Sequence, residues 1–418
     1  MKPVLRWGQR SSAESRRLGL CMVVAFAGMI PGLCAAEAWI LRPFVTWTEQ
    51  YDNNLRFSPN EEDSGWRHQL NVGSGFSRQT EDFQLTGVAS LDFTRYSQVE
   101  PLFDDNLHGW DLRVTTIKEF ELQEVGGDLL YRRDDTLVTR SVFSDPSDPG
   151  NTIGDDGDAG LTRRPIPRET FDIRPYWEVR LDERSNVRLR GAYLDVSYDD
   201  DPDVGIDLTD YKAYGFDGSY SYRLNEIDSV RVGAIYGHYN ADEVDSKYDT
   251  YGADLGYLTR LTELWRLNLG GGWRRTKYET RTNDGSKSGY VANVDLRYDG
   301  ERTDLSFRYD RRQLPSGSGN VSLGNQVRVR HTYDFTPRLS VTSEARWLKT
   351  KAIDSEQSGS DRKFRYFISG LTYRITPWWS LSGGYRYQWR VFDRDEGDSA
   401  ESDMVFMSLS YNKALPLD

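Results

Sequence analysis

Between residues 39 and 411 apolar and polar side chains alternate, in segments of roughly ten to twelve residues, the length a strand needs to cross a bilayer at a tilt. One segment places Tyr214, Phe216, Gly218, Tyr220, Tyr222 and Leu224 on one face and Gly215, Asp217, Ser219, Ser221 and Arg223 on the other. The period recurs in Val187, Leu189, Gly191, Tyr193; in Tyr290, Ala292, Val294, Leu296, Tyr298; in Trp379, Leu381, Gly383, Tyr385, Tyr387, Trp389; and in Val405, Met407, Leu409, Tyr411. A period of two predicts strands with one apolar and one polar face. Short connections (182–184, 225–228, 262–264, 299–302, 335–338, 376–378) alternate with long acidic or glycine-rich ones (199–210, 240–249, 315–324, 392–402, and about 134–167). Short turns at one end and long loops at the other predict an all-β fold, a transmembrane antiparallel up-and-down β-barrel of about 18 strands. The strands before residue 120 are the least regular. A soluble propeller or sandwich would show strands of about five or six residues and no such asymmetry.

Aromatic residues support the membrane reading. Trp177, Tyr222, Tyr251, Tyr257, Trp265, Trp273, Tyr298, Tyr333, Trp347, Tyr373, Trp379 and Trp389 share the apolar parity, many near strand ends. Headgroup-level girdles require rings with a polar tip. Charges on this parity are few; Arg95, Arg275 and Arg311 fall near long-loop ends, where a long side chain can snorkel.

The first 38 residues differ in kind. Lys2, Arg6, Arg10, Arg16 and Arg17 precede an apolar run over 18–30, followed by small residues at Ala35, Ala36 and Ala38. This is the pattern of a secretory signal peptide, and the run is too short to span a bilayer. Residues 1–38 are read as that signal and 39–418 as one outer-membrane barrel domain. Ser15, Arg16, Arg17 and Leu20 partly match a twin-arginine signal, but Gly19 breaks the match, and Pro31, Gly32 and Leu33 do not make a lipobox for Cys34. Both cysteines, Cys21 and Cys34, lie in this region, so the mature chain has neither a disulfide framework nor a cysteine metal site. An even strand count with an N-terminal signal places both termini in the periplasm of a Gram-negative cell.

A barrel of this size is too wide for its own side chains to fill, so function would be written on the inward parity. That parity carries Arg180, Arg188, Arg190, Arg231, Arg266, Arg274, Arg297, Arg308, Arg328, Arg330, Arg346, Arg374, Arg386 and Arg390 as candidate pore-lining residues, together with Arg174 and Arg312. Asp172, Glu178, Asp217, Asp254, Asp295, Asp304, Asp310, Asp334 and Glu344 share it. Guanidinium forks pair with carboxylates and stack on rings, which suits an anionic or sugar-like solute. The competing reading is that arginine and acid pair across neighbouring strands and only stiffen the wall. The net charge of −12 reflects acids gathered in the loops. Asp199, Asp201 and Asp203 with Gly205 approach a calcium-loop pattern, but the glycine falls one position late. Asp155, Asp156 and Asp158 read as a solvated acidic loop. His68, His108, His238 and His331 are scattered, with no metal-ligand spacing. No catalytic set, cofactor motif or basic nucleic-acid patch emerges.

Pro43, Val45, Glu49, Tyr51, Asp52, Asn53, Asn54, Ser58 and Pro59 resemble the start of a known family. This is the outer-membrane β-barrel group associated with exopolysaccharide and exosortase gene clusters, also called β-barrel porin type 2. The resemblance implies a role in moving polymers across the outer membrane; the inward arginines also look like those of the alginate exporter. The expected function is a non-enzymatic outer-membrane channel, a conduit for exopolysaccharide or another anionic or sugar solute. Its expected partners are outer-membrane lipid, the polysaccharide or a small polar solute, periplasmic export components and the barrel-assembly machinery. A structural or surface-adhesive barrel with a plugged lumen and a general diffusion porin are the alternatives. Residues 412–418 extend beyond Tyr411, the aromatic residue suited to the assembly signal.

Overall fold

The computed structural model describes residues 39–417, apart from 56, 58, 60–63, 98–105, 136–165, 200–207, 282, 354–361 and 393–398. The expected signal segment therefore lies outside the described residues, as do most of the near-calcium loop, the 155–158 acids and most of the longest loop. The strands are β1 (Trp39–Asp52), β2 (Gly65–Gln79), β3 (Phe83–Ser97), β4 (Asn106–Glu119), β5 (Gln123–Asp135), β6 (Pro167–Arg180), β7 (Ser185–Tyr198), β8 (Tyr211–Arg223) and β9 (Asp228–Ala241). They continue as β10 (Ser246–Arg260), β11 (Trp265–Glu279), β12 (Asp284–Asp299), β13 (Thr303–Ser316), β14 (Asn320–Thr336), β15 (Leu339–Ala352), β16 (Arg362–Arg374), β17 (Trp379–Phe392) and β18 (Ser399–Asn412). Each pairs antiparallel with the next, and β1 pairs with β18 from Phe44↔Asn412 to Asp52↔Met404. The result is a closed 18-stranded up-and-down barrel, as the alternation predicted. A short β19 (Leu415–Leu417) extends the seam along β1, so the two described termini meet at the short-turn end.

Five of the short turns share one chemistry. Asp182, Asn225, Thr262, Thr336 and Thr376 each follow an apolar residue, and the side-chain oxygen of each accepts backbone N–H groups two and three residues on. Such local acceptors close a turn without a partner strand. At Asp182 the Ser185 hydroxyl adds a third bond at 2.6 Å, and this set of donors holds the carboxyl below the usual range.

The ladder assigns every residue to the inner or the outer face. The outer face over the short-turn two thirds is apolar and exposed: Leu91, Phe93, Phe216, Tyr220, Val232, Leu255, Leu371, Leu381, Val405 and Met407 all lie there. Leu255, 65% exposed near the middle of β10, shows what this face requires. The substitution Leu255→Arg should destabilise the barrel by about 2–4 kcal/mol, read by urea unfolding in lipid vesicles. Asn268→Arg, on the inner face of β11, should cost much less.

Toward the long-loop end the two faces exchange character. Glu49, Lys212, Asp249, Lys277, Lys349, Lys363, Glu401 and Asp403 stand outside, and on β7–β10 and on β15, β16 and β18 the inner face turns largely apolar. The expectation that outer-face charges are few holds only below this level. A wall that rises out of an apolar layer has water outside, so its apolar contacts must be found inside.

Candidate functional site: the lumen and its long-loop mouth

All fourteen candidate arginines lie on the inner face, because each falls in register with an inner residue of the neighbouring strand. Nine have a carboxylate or carbonyl partner. Arg188 reaches Glu178 at 2.9 Å and lies over the Tyr176 ring at 4.5 Å. Arg190 pairs with Asp217 at 2.7 Å, Arg274 with Asp254 at 2.7 Å, and Arg266 with Asp299. Asp295 accepts from both Arg297 (2.8 Å) and Arg308 (2.7 Å). Arg328 stands 3.5 Å from Glu344 and Arg386 3.5 Å from Asp52. Arg390 donates to the carbonyl of Phe57 and covers its ring at 4.6 Å. Arg346 also has a partner. Wall pairing thus takes up much of the set, as one of the two readings expected. Arg180, Arg231, Arg330 and Arg374 form no ion pair among the described residues.

The inner charges are unevenly distributed. On β14–β17 the inner face carries Arg328, Arg330, Arg346, Arg362, Arg374, Arg386 and Arg390 against two acids, Asp334 and Glu344. On β3–β6 acids outnumber arginines on the inner face, and Asp92, Asp111, Asp128 and Asp172 form a tier there. Gln69 and Asn71 donate to Asp92 at 3.1 and 2.7 Å, Thr115 donates to Asp128 at 2.7 Å, and Arg113 holds Asp111 at 2.9 Å. A solute in the lumen would meet a cationic wall on one side and a mildly acidic one across from it. The sequence reasoning missed inner Arg42, Arg67, Arg113, Arg132, Arg168 and Arg362. Their alternation was present, but most sit in the irregular early strands or beside long loops.

The mouth at the long-loop end is built differently from expectation. Residues 315–324 were expected to be a long loop. Instead β13 and β14 pair continuously to Ser316↔Asn320 around a tight turn, with Gly319 at φ 75°. A side chain at that φ would be strained, so glycine suits the turn. Residues 240–249 are also compact, with a single 3-10 turn at Asp242–Val244 between β9 and β10. The β13–β14 hairpin parts from β12 and turns inward, while β14 stays paired with β15 to Ser322↔Ala352. Its partner β12 pairs with β13 only from Asp299↔Asp304 to Ala292↔Arg311, while β11 follows β12 all the way to Glu279↔Asp284. Arg311 marks the parting. Its Nε donates to the carbonyl of Tyr290 at 3.1 Å, its guanidinium covers that ring at 4.2 Å, and Nη1 donates to Asn325 at 2.8 Å. An arginine expected to snorkel toward lipid instead caps an open strand edge.

Beyond Arg311 the hairpin crosses the mouth and is buried on both faces. Gln313 donates to Thr276 on the inner face of β11 at 2.6 Å. Tyr239 of β9 donates to the carbonyl of Ser316, and the Thr209 N–H to that of Gly317, both at 2.8 Å. Val321 packs into an apolar cluster with Leu194, Val196, Tyr211, Tyr239 and Tyr248, supplied by the inner faces of β7–β10. Leu314 packs into a second, with Leu348, Phe364, Tyr366, Ile368, Met404, Phe406 and Phe57. Each fully buried aliphatic side chain contributes about 1.5–3 kcal/mol, so two such clusters hold the hairpin firmly.

The described residues that carry the family resemblance form the barrel seam. Asp52 accepts from Ser402 of β18 at 2.8 Å and from the Asn54 N–H at 2.9 Å. Asn53 accepts the Asp403 N–H at 2.8 Å, and Asn54 donates to the carbonyl of Glu401 at 2.8 Å. The segment thus ties the first strand to the last. The histidines lie apart from the lumen: His68 bonds Glu49, and His238 stacks on Tyr214 at 4.7 Å and bonds Asp249 at 2.9 Å, all on the outer face.

No protein-family model matches the chain, and no curated protein matches it. Among solved structures it is similar to the outer membrane protein OpdK from Pseudomonas aeruginosa, at 14% identity and a TM-score of 0.46 over 90% of this chain and 99% of that one. A BenF-like porin from Pseudomonas fluorescens Pf-5 is similar at 13% identity and a TM-score of 0.47, over 92% and 100%. The outer membrane channel DcaP of Acinetobacter baumannii is similar at 13% identity and a TM-score of 0.46, again over 92% and 100%.

Proposed function

We propose that the chain is a non-enzymatic outer-membrane channel of a Gram-negative cell, with its short turns and termini in the periplasm, that favours an anionic or sugar-bearing solute. The observation that carries this reading is the inner face of β14–β17, where arginines outnumber acids on a wall too long to be filled by its own side chains. The apolar outer belt supplies the lipid contact, and the barrel-assembly machinery is the expected route of insertion. A conduit for exopolysaccharide, working with periplasmic export components, is the narrower form of the reading. It rests on the resemblance at residues 43–59.

The crossing hairpin favours a second reading, a structural or surface-adhesive barrel whose lumen is closed at the outer mouth, and it counts against an open diffusion porin. Single-channel recording in planar bilayers separates them. A channel gives discrete conductance steps with a reversal potential displaced toward the anion in a potassium chloride gradient. A protein that inserts and never conducts is the closed structural barrel. For the narrower reading, polymer should accumulate in the periplasm of a deletion strain; normal secretion by that strain would remove the conduit.

A further inference from the structure

We propose that the outer face of β15 and β16 at the long-loop rim binds the phosphate groups of an outer-leaflet glycolipid. The proposal rests on the membrane reading above. Lys349 and Lys363 stand directly opposite each other across the ladder, Arg365 stands opposite Trp347, and Lys351 continues the row. Lys349, Lys351 and Arg365 are exposed. None of the three lysines has a hydrogen bond or ion pair among the described residues.

Elsewhere on the outer rim the rule is the reverse. Lys212 lies 3.8 Å from Asp195, Lys247 faces Glu279, and Lys277 faces Asp249. Opposite charges across a ladder stabilise it and like charges destabilise it. A barrel that pairs its rim lysines with acids on β7–β11 and sets lysine against lysine on β15–β16 has left a site for an external anion. The nearest outer-face acids of described strands, Glu401 and Asp403, lie on β18, with Trp389 and Tyr387 of β17 between them and β16.

The depth fits a lipid phosphate. Tyr373, in the aromatic ring of the short-turn end, and Arg365 lie on the same face of β16. Eight residues at about 3.4 Å each, tilted by about 40°, put Arg365 roughly 21 Å above Tyr373, close to the height of an outer-membrane apolar band. The guanidinium lies over the Trp389 ring at 4.4 Å, the position of an interface girdle. Lys349, Lys363 and Lys351 then stand at and just above the headgroup level. A bisphosphorylated glycolipid presents its anions at that level, with acyl chains running down over Trp347, Phe367 and Tyr385. Free phosphate shares the charge but not the chains.

The test uses the folded full chain and purified bisphosphorylated lipid A, with binding read by native mass spectrometry titration. K349Q/K351Q/K363Q should weaken binding on the order of a hundredfold, about fivefold for each lysine. The triple arginine variant should stay within a few fold of the parent, and K212Q/K247Q/K277Q should not change it. Dephosphorylated lipid A should bind the parent as weakly as bisphosphorylated lipid A binds the triple glutamine variant. Unchanged binding in K349Q/K351Q/K363Q, or equal binding of the dephosphorylated lipid, overturns the proposal. Displacement of the lipid by equimolar inorganic phosphate would also overturn it, since the site would then be one for free anion. Insertion into neutral phosphatidylcholine vesicles, read by heat-modifiable mobility, is scored separately. A parent that inserts yet ignores lipid phosphate fails only this proposal, whereas one that never inserts fails the membrane reading and the site with it.

Discussion

Replacing residues 313–323 with an Asn-Gly turn should raise single-channel conductance by at least about threefold, since an 18-stranded wall otherwise encloses an aqueous lumen. The new turn joins Arg312 to Gly324, which already face each other across β13 and β14, and Asn-Gly suits a two-residue hairpin. What is removed is the part that crosses the mouth: Leu314 and Val321 with their two clusters, and the bonds to Tyr239, Thr209 and Thr276. Tyr239, Tyr248, Leu348 and Phe364 then face water. The variant also loses the last β14–β15 pairs, Ser322↔Ala352 and Leu323↔Lys351, so it should be less stable, yet the rest of the ladder is kept and it should still migrate as a heat-modifiable barrel. If its conductance matches the parent's, the narrowest point lies elsewhere and the hairpin is no barrier. A smaller change separates closure from packing. Leu348→Ala, at a side chain with no exposure, should cost about 2–5 kcal/mol and leave the hairpin in place.

That hairpin also marks where the sequence stopped being legible. The barrel was legible because a period of two is local: Tyr214, Phe216 and Tyr220 report their face without reference to any distant residue. Turn asymmetry is local as well, and Asp182 or Thr376 closes its turn with its own neighbours. The inner face of β14–β17 followed from parity alone. The path of residues 313–323 did not, because Pro315, Ser316, Gly317, Ser318 and Gly319 read as a loop tip. What folds them inward lies far away in sequence: Thr276 is 37 residues from Gln313, Tyr239 is 77 from Ser316, and Leu194 is farther still from Val321. Leu314 and Val321 have opposite parities and are both buried, which breaks the rule that one face is wet. The exchange of character at the long-loop end is of the same kind. Lys349 and Leu348 carry the same alternation as Arg346 and Trp347, but the sense of inside and outside has reversed. Only the depth of the layer decides which sense applies, and depth is a property of the assembled barrel.

The remaining large effect is electrical. R328E/R330E/R346E should reverse the ion preference of the channel, moving the reversal potential in a potassium chloride gradient from the anion side to the cation side. Eighteen strands at about 4.8 Å spacing and about 40° tilt give a backbone radius of roughly 18 Å. The Debye length is about 10 Å at 0.1 M salt and about 3 Å at 1 M. At 0.1 M the field of the β14–β15 guanidinium groups, which stand inside the backbone, therefore reaches about to the barrel axis, and the preference should reverse. At 1 M it should shrink toward no preference in both proteins. Exchanging a paired couple, Arg190→Asp with Asp217→Arg, alters two wall charges and leaves their sum unchanged, so it should move the potential little. The two readings of the arginines part here. Arg328 has Glu344 at 3.5 Å, and Arg330 has no ion pair among the described residues. If the arginines only stiffened the wall, Arg330→Glu alone would leave selectivity unchanged, and the triple variant would lose stability instead. A clear shift from Arg330→Glu, graded toward the triple variant and suppressed by salt, is the result that assigns these side chains to the permeation path.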